Sequence, residues 1–456
     1  MSAAMTATDP SPCDLLLTDL TVVTVDPSMT VIQTGALAVT DGCIAWVGPM
    51  SALPAGMRAA RTVALPGRVV LPGFVNVHTH AILTMVRGVA EDLGFAPAYT
   101  PGIPHGHDVT PEEAVALARL GAVEAMLFGS TLVNDTYVHA DLTLPEMAQL
   151  GLRVYSCGRI HDADFSLIGD GRWEYHAAIG ERTLGEALAL AHRWHGAFDG
   201  RAGVQLAAHA PDTCSDDLLR RIADASQRHG LRVNTHLAQS RKEVEQVRRR
   251  SNRTPAELLD EVGLLNHWLL AAHCLFQTDD DIARCGRAGI HVAHIPKGNA
   301  TGGTAAPTSA LRRAGARLTL GSDNMHADLT EVMRWALAVG RLQEQQVDSF
   351  WQPEDVLRMA TIDGARAMGL ADRIGSLEVG KRADLVVFDF RRPHLMPCLD
   401  PVGNLVHVAQ GRDVEHVWVD GVQTVEGGRP TLADVDTILR DAHRASQALW
   451  QRARAA

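Results

Sequence analysis

The chain has 456 residues, 46% of them apolar, enough for one large buried core. A formal net charge of −11 and the lack of a sustained basic stripe speak against a nucleic-acid partner. Seven scattered cysteines without a CxxC pair, a start that does not read as a secretory leader and no membrane-length apolar run predict a soluble cytoplasmic protein with no membrane contact.

From residue 14 to 68, short β-rich runs such as "LLLTDLTVVTV" and "ALAVTDGCIAWVG" alternate with turns, and Asp41-Gly42 marks a hairpin. Residues 69–370 change texture. Short apolar runs recur there, each followed by a longer amphipathic segment: "VVLPGFVNVHTH", "STLVNDTY", "LRVYSCGRI", "GVQLAAHAP", "LRVNTHLAQ", "HWLLAAHC", "GIHVAHIP" and "ARLTLGSDN". The segment "CSDDLLRRIADASQRHG" opens on Ser215 as a helix N-cap and closes on Gly230. Strands alternating with helices in this number predict an α/β fold, a (β/α)8 TIM barrel. Residues 371–430 return to the opening texture, with "ADLVVFDF" and a second Asp-Gly turn at Asp420-Gly421. The two flanking stretches predict a small β-sandwich domain formed from both chain termini, and residues 431–456 a helical tail.

In such a barrel the chemistry sits where the strands end. The first strand ends in His78-Thr79-His80, whose two imidazoles, two residues apart, face one side and can share an ion. Strand five ends in His236, strand six in His273 and strand eight in Asp323. Singly, His273 reads as a hydrogen-bonded core histidine, and Asp323 as a cap for the helix beginning near Leu329. Together they predict a metal site, since side chains of metal-ligand type arrive at one rim from four strands.

These motifs carry a resemblance. "LPGFVNVHTH", "HAPDTCSDDLL", "THLAQS", "AAHC", "VAHIPKGN", "GSDN" and "ATIDGARAMGLADRIGSLEVGKRADLVVFD" resemble the amidohydrolase superfamily, within it the branch of triazine hydrolases and S-adenosylhomocysteine/methylthioadenosine deaminases. The resemblance implies one divalent metal ion, zinc or else iron, bound by His78, His80, His236 and Asp323. It implies that His273 hydrogen-bonds the attacking water or the tetrahedral intermediate, and that His209 and His294 line the substrate pocket. It also implies a small-molecule substrate and a homo-oligomer. The ion would lower the pKa of a coordinated water towards neutrality, with Asp323 taking the proton. The reaction expected is hydrolysis of a non-peptide C–N bond, the removal of an amine from an aminopurine, pyrimidine, pterin or triazine.

The chain departs from this pattern at three places. Relatives of the deaminase branch carry a glutamate three residues after the strand-five histidine, where this chain has Gln239. An amide cannot relay a proton, so the leaving group needs another donor: His294, His273 or Lys297. Alternatively the group that leaves is chloride, a thioether or an amide, carbamate or urea fragment; a non-catalytic binding protein is the reading from another class. Asp212 stands where relatives have an aromatic, which predicts altered substrate contacts. The first loop is rich in Pro and Gly and holds His105 and His107, read as solvent-facing rather than as a second metal site; Phe95, Tyr99 and Trp335 are the aromatics nearest the pocket.

Overall fold

The computed structural model describes residues 13–93, 100, 102–323 and 326–455. Phe95, Tyr99 and Asn324 of the GSDN run lie outside the described residues. Eight parallel strands form the central sheet. Numbered within the barrel, they are β1 (Phe74–Thr79), β2 (Ser130–Tyr137), β3 (Arg153–Ile160), β4 (Ala202–Ala208), β5 (Val233–Leu237), β6 (Leu269–His273), β7 (His291–His294) and β8 (Arg317–Leu320). Each pairs with the next in chain order, and helices lie between them, as the alternation of apolar runs and amphipathic segments requires.

The barrel is nearly closed, and its seam runs beside the predicted site. Asp323 bridges Thr79: its N–H donates to the His78 carbonyl (3.0 Å), and its own carbonyl accepts from His80 N–H (3.0 Å). Gly321 makes this approach possible, because a Cβ there would lie 2.8 Å from the His78 Cβ. The helices are punctuated as read: Ser215 Oγ accepts from Leu218 N–H, and Gly230 takes φ 65° at the other end.

A separate nine-stranded sheet is built from both ends of the chain. The two contributions meet where Arg68–Pro72 pairs antiparallel with Leu385–Asp389. Both Asp-Gly turns have positive φ at each residue (49° and 71° at Asp41-Gly42, 50° and 77° at Asp420-Gly421), as a two-residue hairpin turn demands. The C-terminal helix Val435–Ala455 packs against the helix Pro111–Leu127. Among the described residues no helix is long and apolar enough to cross a membrane.

One buried side chain ties barrel to sheet. Arg153, at the start of β3, is 1% exposed and donates to both Asp384 oxygens (3.1 and 3.2 Å) and to Asp420 Oδ1 (2.6 Å). Removing it leaves the buried Asp384 without a cation, while Asp420 keeps Arg382 (2.5 Å), so Arg153→Met will cost about 3–5 kcal/mol of stability. A urea-denaturation midpoint equal to that of the parent chain would refute this.

Candidate metal centre

The histidines and the aspartate named from the strand ends converge at the barrel's C-terminal rim. Among the described residues two overlapping sets are arranged to hold an ion, His78/His236/His273 and His78/His80/Asp323, each with one donor atom per residue inside 4.8 Å of the others. Asp323 Oδ1 lies 3.3 Å from His80 Nε2 and 3.7 Å from His78 Nε2. His236 Nε2 lies 3.4 Å from His80 Nε2. All five side chains are buried.

Hydrogen bonds decide which nitrogen of each ring faces inward. His80 Nδ1 donates to the Thr136 carbonyl (2.5 Å) and His236 Nδ1 to the His209 carbonyl (2.6 Å). A carbonyl can only accept, so each Nδ1 carries the proton and each Nε2 is a bare lone pair. Two lone pairs then face one another with a carboxylate oxygen beside them. Neither ring nitrogen of His78 has a hydrogen-bond partner. Such a donor set fits a divalent cation, and the carbonyls behind the rings are the outer partners a ligating histidine uses.

Burial keeps these rings neutral. It pushes His80 down to about 3 and His273 to about 4, and holds His78 and His236 well below the ordinary imidazole value. Burial also pushes the Asp323 carboxyl up to about 7. His294 falls to about 3 for the same reason. Unfolded, these imidazoles titrate near 6.5, so the unfolded chain takes up protons first as pH falls. For His80, His273 and His294 the stability is present above about 6.5 and lost between there and 3–4, at roughly 1.4 kcal/mol per pH unit for each ring, and the raised Asp323 offsets one ring below pH 7. The metal-free protein will therefore show a melting temperature falling steeply from pH 6.5 to pH 5; a flat profile would mean the rings are not held neutral.

Backbone conformation marks the same rim. Ala238, His273, Cys274 and Asp323 all have positive φ (49°, 71°, 53° and 64°), at about 1–3 kcal/mol each for a residue other than glycine. At Ala238 the cause is visible. Glu243, fully buried, accepts from Ala238 N–H (2.7 Å) and Gln239 N–H (2.8 Å), and so pins the loop that follows His236. Burial and the nearby Asp212 raise its pKa well above the usual carboxylate range. The signal for Glu243 was in the chain, since Ser240-x-x-Glu243 is a capping-box pattern.

The other expected residues divide. His273 Nδ1 contacts Asn299 Oδ1 (3.0 Å). His294 is buried with neither ring nitrogen hydrogen-bonded. His209 Nε2 accepts from Arg159 Nη2 (3.0 Å), while its Nδ1 meets Thr213 Oγ1 (2.7 Å). Arg159, a cation at the end of β3 that sequence reasoning passed over, also stacks on Tyr137 and Phe165, with its guanidinium carbon 5.0 and 4.6 Å from the ring centroids. Asp212 is buried and accepts from Trp173 Nε1 (3.0 Å), away from solvent. Gln239 is half-buried. Lys297 lies on the short helix Pro296–Thr301, with its ammonium 2.7 Å from Glu331. His107 Nε2 contacts Arg159 Nη1 (3.3 Å), and Trp335 is 40% exposed. Asp328, not Asp323, caps the helix Leu329–Glu344.

Comparison with known proteins follows the geometry. The profile of the Amidohydrolase family matches residues 69–424. A 5-methylthioadenosine/S-adenosylhomocysteine deaminase of Desulforudis audaxviator (strain MP104C) is 36% identical over 425 residues, covering 91% of this chain and 95% of the relative. A 5'-deoxyadenosine deaminase of Methanosarcina mazei is 30% identical over 447 residues, covering 96% and 99%. Among solved structures, an adenosine deaminase from Xanthomonas campestris with bound zinc superposes with a TM-score of 0.86 at 28% identity, covering 96% of this chain and 99% of that one. Atrazine chlorohydrolase from Arthrobacter aurescens TC1, complexed with zinc, shares the fold with a TM-score of 0.83 at 21% identity, covering 95% and 100%. Members of the family bind a divalent metal, the group this donor set fits. By the extent of the profile match and the identity to these relatives, the chain belongs to the amidohydrolase family.

Proposed function

We propose that the protein removes the exocyclic amine of a small N-heterocycle of the aminopurine kind, using one zinc ion held by His78, His80, His236 and Asp323. As an amidohydrolase it is a hydrolase of carbon–nitrogen bonds other than peptide bonds. The observation that carries the reading is the pair of bare Nε2 atoms on His80 and His236, 3.4 Å apart beside Asp323. The names of the relatives supply the substrate class. When bound, the ion supplies a water acidified towards neutrality and a positive centre for the developing oxyanion.

The chain's own residues do the rest. Asp323 takes the proton of the attacking water. His273, with Nδ1 bonded to Asn299 Oδ1, offers Nε2 as an acceptor that orients that water. Arg159 and His209 close the pocket wall on the β3–β4 side. Departure of ammonia needs a proton relay, and His294 is the one we assign, since its nitrogens are uncommitted while Lys297 is drawn to Glu331; neutral at rest, it hands on to the leaving amine the proton that Asp323 takes from the water. Gln239 holds no relay proton. Gln239→Ala will therefore lower kcat far less than the about 10²- to 10⁴-fold that loss of a general acid costs, and His294→Gln will incur that loss. The reverse ranking would overturn the assignment.

Gln239 also favours a second reading, hydrolytic release of chloride or a thioether, which leave without a strong acid. Mass spectrometry of zinc-loaded protein with aminopurine nucleosides and with chloro- and methylthio-triazines separates the two. Ammonia in step with an oxygen-for-amine product supports deamination; chloride or thiol released with amines intact supports the second reading. The unpaired state of all seven cysteines supports a cytoplasmic setting, and a homo-oligomer is proposed from the family resemblance.

A further inference from the structure

At the opposite end of the barrel, where the strands begin, a cavity of about 580 Å³ opens beside His291 and Arg317, the first residues of β7 and β8. The helices Thr308–Ala314, Pro353–Ala360 and Ile362–Met368 complete its wall. Four guanidiniums line it, those of Arg312, Arg317, Arg358 and Arg366, against two carboxylates, Asp355 and Asp363. Arg312 Nη2 sits 2.8 Å from Asp355 Oδ1, and Arg366 pairs with Asp363. Arg358 reaches a backbone carbonyl, that of Pro27 (3.0 Å), which cancels no charge. Among the described residues Arg317 meets no carboxylate within ion-pair distance. An acidic chain thus concentrates two uncompensated positive charges in one concave place.

A second, independent feature lies in the same wall. His291 is 2% exposed, and its Nδ1 is buried with no hydrogen-bond partner. Leaving such an atom unpaired costs about 1–3 kcal/mol, which a ligand acceptor would recover. Burial and the guanidiniums around it push its pKa down to about 4, so at neutral pH the ring is a neutral group able to donate one N–H. Two forked cations and a neutral donor match a tetrahedral dianion better than a single carboxylate, because the guanidinium fork suits phosphate oxygens and the charges balance.

We propose that this cavity is an anion site of the phosphate class, taking inorganic phosphate or the phosphoryl group of a small metabolite between Arg317 and Arg358 with His291 Nδ1 as third donor. It is separate from the metal centre, and its existence does not depend on the deaminase reading.

Isothermal titration of the zinc-loaded protein tests it, with inorganic phosphate in one arm and glycerol 2-phosphate in the other, at ionic strength fixed with sodium chloride. Saturable binding is expected, weakened about tenfold or more in the Arg317→Gln/Arg358→Gln variant, which keeps its turnover and so its fold. Binding will persist in His236→Ala, which strips the metal and so separates this site from phosphate captured at the metal centre. Tighter binding of the ester identifies a metabolite's phosphoryl group as the natural ligand; tighter binding of inorganic phosphate identifies the free ion. No saturable heat with either probe, or equal affinity in the double-arginine variant, overturns the proposal.

Discussion

Changing Asp323 to asparagine will lower kcat by about 10²- to 10⁴-fold, the range expected when a positioned proton acceptor is lost. The substitution isolates chemistry from folding. Asparagine is among the residues that tolerate positive φ, so the 64° at this position is kept. The backbone N–H and C=O that close the barrel against His78 and His80 are unchanged. What is lost is the carboxylate oxygen beside His80 Nε2, and with it the group that accepts the water's proton. Steady-state kinetics beside circular dichroism would check this. A folded variant within tenfold of the parent would remove Asp323 from the mechanism.

Replacing His236 with alanine will strip the metal and the activity together. Loss of an outer hydrogen bond to a ligand already costs about 10–100-fold in metal affinity, and loss of the ligand itself costs more. Deleting this ring leaves His78, His80 and Asp323, one donor short of the proposed set of four. Dialysed protein analysed by plasma mass spectrometry should hold about one ion per chain in the parent and a small fraction of that in the variant. Excess zinc should restore little of the rate. Full occupancy and full turnover in His236→Ala would show that the ion, if any, is held elsewhere.

What the sequence made legible was local. The two Asp-Gly hairpins, the Ser215 and Gly230 helix ends and the two-residue spacing of His78 and His80 each depend on neighbours a few positions away. The barrel followed because one pattern recurred along the chain. The site's deeper features were hidden because they depend on partners far off in the chain. Which nitrogen of His80 faces the centre of the rim is decided by the Thr136 carbonyl, 56 residues on. Lys297 looked available for proton transfer, and the structure binds it to Glu331, 34 residues later. Arg153 reads as an ordinary charged strand residue until Asp384 and Asp420 close on it from the other end of the chain. Glu243 is the instructive omission. Its capping-box pattern was visible, but the box reaches back to Ala238 and Gln239 rather than to the Ser240 backbone, so it shapes the loop after His236.

The central claim is that the rim holds one divalent ion between imidazole Nε2 atoms and Asp323. Anomalous diffraction at the zinc edge from zinc-loaded crystals tests it most directly. The account predicts a single strong peak within about 2.0–2.2 Å of a His78 ring nitrogen, His80 Nε2, His236 Nε2 and an Asp323 oxygen. No peak there, or a peak held by Nδ1 atoms or by residues away from this rim, would contradict it.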